Sequence, residues 1–177
     1  MVKRVTEYDK ALENWAGHLF ARHMHRGFRR YTTSEYAYVD LYLYELTEAQ
    51  RATGVFEVKG QYHPYNAYPR VRISTMKWQC IMLFRKYCML HNGYEVTPFF
   101  VLPFVDHTVY TEASNLSTAT GCIQRLAGRK VPREDQPNDI EVMWDTPRDI
   151  WREIPGGGIL QFERDNPTFA GQKKLRT

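Results

Sequence analysis

Apolar residues recur at helical spacing in two stretches of this chain and alternate at strand spacing in others. Between Glu7 and Met24, Leu12, Trp15, Ala16, Leu19 and His23 share one side of a proline-free helix. Gly27 is expected to end that helix, and Phe28 to Tyr31 to enter a sheet. From Val39 to Leu43, Val39, Leu41 and Leu43 point one way and Asp40 the other. From Val55 to Lys59, Val55, Glu57 and Lys59 share a face while Phe56 and Val58 turn away. Charged, Thr, Gln and Gly residues from Glu45 to Gly54 fit a hairpin connection between the two strands. A second helix is expected from Ser74, its N-cap, to His91, closing near Asn92-Gly93. On it Met76, Cys80, Leu83, Tyr87 and Leu90 make one apolar stripe, widened by Ile81, Phe84 and Cys88, so most of this helix is expected to be buried. Glu95 to Val105 fits a buried strand bounded by proline, paired beside the other two.

The order helix, strand, strand, helix, strand predicts an α/β fold, a central mixed β-sheet with helices on its faces. At 177 residues and 43% hydrophobic, the chain has enough apolar surface for one domain and too little length for two ordinary ones. Gly60 to Arg72, with Tyr62, Pro64, Tyr65, Tyr68 and Pro69, is expected to be a long loop. After Thr111 come Pro132, Pro137, Pro147 and Pro155 with little periodicity. Residues 111–177 are therefore expected to form an irregular C-terminal extension packed on a core of residues 1–110.

If the two central strands pair, Asp40 and Glu57 converge. Two carboxylates that close repel unless a cation lies between them, which makes the pair a natural Mg²⁺ site with Mn²⁺ as a substitute; the Val58 carbonyl is a further candidate ligand. Lys59, on the same face as Glu57, is placed to orient or activate an attacking water, or to neutralise charge developing on a phosphate. Glu13 on the first helix is a candidate for the same region. The plainer reading makes Glu57 and Lys59 a surface pair on a half-exposed strand and Glu13 a solvated helix residue.

A net charge of +4 and a pI near 8.9 permit a nucleic-acid partner. Arg22, Arg26, Arg29 and Arg30 cluster around the end of the first helix, Arg70 and Arg72 follow the long loop, and Lys77 and Lys86 lie on the second helix. All eight are candidate phosphate contacts, while cations near a helix C-terminus are also favoured by its dipole. Three cysteines without CxxC or Cys/His spacing argue against a disulfide framework or a zinc site and fit a reducing, cytoplasmic setting. No apolar run approaches the length needed to span a bilayer, so no membrane partner is expected.

A helix carrying Glu13, Val39-Asp40 in a strand, Glu57-Val58-Lys59 in the next, a helix with Gln79 near its start and then a buried strand together resemble the PD-(D/E)XK nuclease superfamily. The likeness covers roughly Tyr8 to Tyr110, with Val39 where the family name has proline. It implies a restriction-endonuclease-like core similar to those of Holliday-junction resolvases and phage-type members. By that resemblance Asp40 and Glu57 hold the metal, Lys59 serves the attacking water, and Glu13 and Gln79 are accessory. The implied activity is metal-dependent hydrolysis of phosphodiester bonds in DNA, with junctions or branches as candidate substrates. Because cutting both strands calls for two sites, a homodimer is expected. The rival readings are a catalytically inactive nucleic-acid-binding module on the same fold and a protein-binding or inhibitory protein.

Overall fold

The computed structural model describes residues 6–30, 41–128 and 140–173. Helix α1 spans Glu7–His23 and starts at a reciprocal cap: the Asp9 N–H donates to Thr6 Oγ1 at 3.2 Å, and the Thr6 N–H donates to Asp9 Oδ2 at 3.2 Å. Its buried line is Tyr8, Leu12, Ala16 and Phe20, one residue every four. The expected stripe is corrected at its C-terminal end, where Phe20 takes the core position, Leu19 is half-buried and His23 is exposed. Gly27 is also reassigned. The helix is capped by Met24, and Gly27 opens strand β1 (Gly27–Arg30). A Cβ on Gly27 would lie 2.3 Å from the ring of Tyr44, its cross-strand partner, so a larger residue there would have to displace that ring.

Strands β2 (Leu41–Tyr44) and β3 (Ala52–Val58) pair antiparallel, Leu41 opposite Phe56 and Tyr42 opposite Val55. Strand β3 starts three residues earlier than expected, so the connection shortens to 45–51. The ladder has a register shift between Leu43, opposite Gly54, and Tyr44, opposite Ala52. A fourth strand, β4 (Arg70–Ser74), occupies the end of the stretch expected to be loop. Helix α2 (Thr75–Asn92) follows, capped by Ser74 and terminated by Gly93 in the left-handed region at φ 67°. It carries the chain to β5 (Thr97–Pro103), which pairs parallel to β3. A parallel neighbour needs such a crossover.

Among the described residues after Thr111 the chain forms regular elements where an irregular extension is expected. Strand β6 (Thr108–Glu112) leads to a short helix α3 (Asn115–Thr118), then β7 (Ile123–Gly128), β8 (Ile140–Pro147), β9 (Arg152–Ile154) and helix α4 (Ile159–Asp165). Pro147 ends β8 and Pro155 follows β9, where they interrupt the periodicity without preventing pairing; Pro132 and Pro137 lie outside the described residues. Strand β9 joins β6 at the edge of a six-stranded sheet of order β1-β2-β3-β5-β6-β9, and β4-β8-β7 form a second, antiparallel sheet.

The architecture is therefore α/β, a mixed central sheet with helices against both faces. On one face Phe56, Val58, Phe99 and Val101 meet Ala16 and Phe20 of α1. On the other, Val55, Phe100 and Leu102 meet Ile81 and Cys88 of α2 together with Val71 and Ile73 of the second sheet. Helix α2 is rotated relative to expectation. Trp78, whose indole N–H donates to the Ala113 carbonyl at 2.8 Å and whose ring packs edge-on against Trp144, fixes the side that faces inward. The stripe containing Met76, Leu83, Tyr87 and Leu90 consequently points to solvent.

Candidate active site

Strand alternation puts Val55, Glu57 and Lys59 on the α2 face of the central sheet. Val55 lies in the core, Glu57 is 6% exposed at its rim, and Lys59 follows where the strand ends. There the core opens into a cavity of about 270 Å³, lined by Glu57, Lys59, Arg72, Ser74, Lys77 and Glu141. Phe100, Ile73 and Met143 supply its apolar surface. Each wall has a local cause. Phe100 is the β5 residue in register with Glu57, and Met143 is the β8 residue in register with Ser74. Ser74 and Lys77 are the cap and first turn of α2, whose N-terminal dipole adds positive potential.

Glu57 is bound by an ammonium from the next element: Lys77 Nζ stands 2.8 Å from Glu57 Oε1. A carboxylate this buried requires such a partner. Ser74 is doubly used, its hydroxyl accepting from the Lys77 N–H at 3.4 Å and donating to Glu141. Half-buried Cys80, one turn on, has its thiol pKa raised by burial, pulled back by Lys77 and pushed up again by Glu57. Three cations, Lys59, Arg72 and Lys77, thus face two carboxylates, Glu57 and Glu141. The excess positive charge suits an anionic group, and a volume of this size admits a phosphate with part of its ester.

The Lys59 N–H donates to the Val101 carbonyl at 3.1 Å and the Gln61 N–H to the Pro103 carbonyl at 2.8 Å, so the odd-numbered peptide groups are turned toward β5. By strand alternation the Val58 carbonyl is turned the other way, toward β2. Asp40 lies outside the described residues; the last described pair of that ladder is Leu41 with Phe56. Among the described residues no cluster of three or more His, Cys, Asp or Glu side chains is assembled to hold a metal. The described donors fit a hard divalent cation in part. Glu57 and Glu141 provide carboxylate oxygens in one cavity, and Asp40 would have to complete the set.

The other sequence candidates are dispersed. Glu13 lies on α1, across the sheet from Glu57, where its charge helps to raise the pKa of the Tyr62 hydroxyl, a shift due first to burial and then to Asp9. Gln79 is exposed on α2 and Lys86 stands on its outward side; neither lines the cavity. Arg22 and Arg26 sit near the end of α1. Arg29 on the edge strand β1 bonds Gln50 and lies 5.0 Å over the Tyr44 ring. The side chain of Arg30 lies outside the described residues. Arg70 is committed internally. Its Nε approaches buried Asp145 Oδ1 at 3.4 Å, its Nη2 donates to the Asp145 carbonyl at 3.0 Å and to Gly121, and Arg125 reaches the other carboxylate oxygen at 2.8 Å.

The structure therefore brings together Glu57, Lys59, Arg72 and Lys77 of the expected set and adds Ser74 and Glu141. The alternation Ile140-Glu141-Val142-Met143 marks a strand with Glu141 on one face, but its pairing with Ser74, 67 residues away, has no local signature. No described helix is long and apolar enough to cross a membrane. No family model, curated protein or solved structure matches this chain.

Proposed function

We propose that this protein is a Mg²⁺-dependent deoxyribonuclease on a restriction-endonuclease-like core, with Glu57 and Lys59 at its centre. The observation that carries this reading is their convergence in one cavity: a buried carboxylate and an amine from a single strand open into a space rimmed by Arg72 and Lys77. A buried carboxylate carries a desolvation penalty and adds nothing to the core that an apolar residue would not, so its position at a cationic cavity favours a chemical role.

In this reading Glu57, with Asp40 and the Val58 carbonyl, would hold the cation. Arg72 and Lys59 bind the nonbridging oxygens of the scissile phosphate, Arg72 offering a fork of N–H donors and Lys59 a mobile point charge. Lys59 also orients the attacking water. Lys77 holds the Glu57 carboxylate in place, and the Ser74–Glu141 bond ties the cap of α2 to β8. When bound, a divalent cation would polarise the phosphoryl oxygen and lower the pKa of a nearby water.

The test is cleavage of supercoiled plasmid and of branched DNA by purified protein with and without Mg²⁺. Nicking that requires Mg²⁺ and disappears in Glu57→Gln, while circular dichroism stays unchanged, is the expected result. Metal-independent DNA binding without any cleavage would replace this reading with the inactive nucleic-acid-binding module.

A further inference from the structure

One face of the second sheet continues the cavity wall outward and carries cations beyond it. In that sheet β8 runs between β4 and β7, and residues in register share a face. Arg72, Asp145 and Ile123 form one row, and Ser74, Met143 and Arg125 form the next. The second row starts inside the cavity, which Ser74 and Met143 line. It ends at Arg125, two strands and about 10 Å from Ser74.

Asp145 organises this face. Its side chain is only 2% exposed because arginines from the two flanking strands close over it: Arg70 Nε lies 3.4 Å from Oδ1 and Arg125 Nε 2.8 Å from Oδ2. Arg72 stands directly across from Asp145 on β4 and is exposed. Three guanidinium groups thus surround one carboxylate, more positive charge than that buried anion needs for its own compensation. The two that grip it are held differently. Arg70 is tied further through Nη2 to the Asp145 and Gly121 carbonyls. Arg125 is gripped at Nε with its side chain 46% exposed, and among the described residues nothing else engages its Nη groups.

We propose that Arg125 and Arg72, oriented by Asp145, form a second anion site that takes a phosphate of the substrate strand next to the scissile one, so that the substrate is a phosphodiester polymer rather than a small ester. Calling the first phosphate scissile rests on the nuclease reading, whereas the second anion site does not. A guanidinium fork matches a phosphate in two hydrogen bonds. The buried carboxylate behind Arg125 fixes that fork before the ligand arrives, which reduces the ordering cost of binding. Exposed Ile123 and half-buried Met143 flank Arg125 with apolar surface suited to a sugar or base. A small ester held at Glu57 does not span the distance to Arg125, and a strand does.

The experiment is fluorescence anisotropy of a labelled DNA oligomer with the full chain in EDTA, where cleavage plays no part. Arg125→Ala is expected to weaken binding about 10-fold and to lower the salt dependence by about one counterion. Because that change takes a partner from buried Asp145, Ile123→Glu serves as a second variant. It adds a carboxylate in the row of Asp145 and Arg72 without removing either ion pair, and should weaken binding comparably. Leu126→Glu makes the same charge change on the opposite face of β7, where Leu126 is 73% exposed, and should alter affinity less than about 2-fold. Circular dichroism checks that each variant folds. Loss of binding in Ile123→Glu but not in Leu126→Glu sustains the site even if no ester is cleaved, an outcome that would remove the nuclease reading alone. DNA affinity indifferent to both Arg125→Ala and Ile123→Glu, or lowered equally by Leu126→Glu, overturns the proposal. So does an equal loss of DNA cleavage and of bis(p-nitrophenyl) phosphate hydrolysis in Arg125→Ala, since that small diester carries a single phosphate and should be turned over as in the parent protein.

Discussion

The two faces of the central sheet are built from the same strands and end differently. On the α1 face the alternating residues of β3 are Phe56 and Val58, and they close over Phe20, whose ring meets those of Phe56, Phe99 and Tyr110 with centroids 5.2 Å away in each case. On the α2 face the intervening residues are Val55, Glu57 and Lys59, so the apolar surface stops one residue into the core and gives way to charge. A strand has a period of two. A single segment therefore stabilises the fold with one set of side chains and exposes chemistry with the other, and neither compromises its neighbour. The cavity lies where α2, anchored through Trp78 and Ile81, leaves the sheet end uncovered.

Breaking the dry face should have the largest effect on the fold. Phe20→Ala removes the ring that three aromatics share, and a loss of about 3–5 kcal/mol in urea unfolding is expected. A loss below about 1 kcal/mol would show that the two faces differ less than their packing implies. The charged face should respond in the opposite sense. Lys59→Ala is expected to lower Mg²⁺-dependent cleavage by about 10²–10⁴-fold with the thermal midpoint unchanged. If stability falls and activity persists, Lys59 belongs to the fold rather than to the chemistry.

A third charged group sharpens the contrast because it stabilises without any catalytic role. Burial alone would raise the pKa of Asp9, but hydrogen bonds from the Thr6 hydroxyl and N–H, the Tyr62 hydroxyl and Lys173 overcome it and bring the value down to about 2. A carboxylate depressed in the folded state contributes stability at pH values above its unfolded pKa of about 3.9, and that contribution is lost as pH falls through the folded value. Asp9→Asn should therefore cost about 2 kcal/mol at neutral pH. Its gap from the parent protein should narrow as pH drops from about 4 to about 2, as read by denaturant unfolding at stepped pH. The smallest effect is expected at the cavity mouth. Arg72→Ala should weaken DNA binding a few-fold and lower the salt dependence by about one counterion, measured by anisotropy over a salt series.

Some of this protein is fixed by local rules. The cap and stop of α2, the two-fold alternation that sets Glu57 beside Lys59, and the pairing of β2 with β3 across a short connection all follow from spacing within a few residues. The resemblance to a nuclease core rests on those same residues. The sequence also shows that α2 has two apolar sides, but not which one the sheet takes. That is decided by Trp78 finding Ala113 and Trp144, contacts that exist only after β6 and β8 are in place.

The partners of the cavity residues were settled at the same level. Nothing near Arg70 announces Asp145, and nothing near Ser74 announces Glu141, because long-range strand pairing has no short-range signature. The prolines after Thr111 suggested irregularity because periodicity is a property of uninterrupted runs. The three-residue β9 is a strand only through its pairing with β6. Sequence spacing thus determined which side chains share a face. Tertiary packing decided which faces were covered, since burial is a relation between elements and is written in none of them alone.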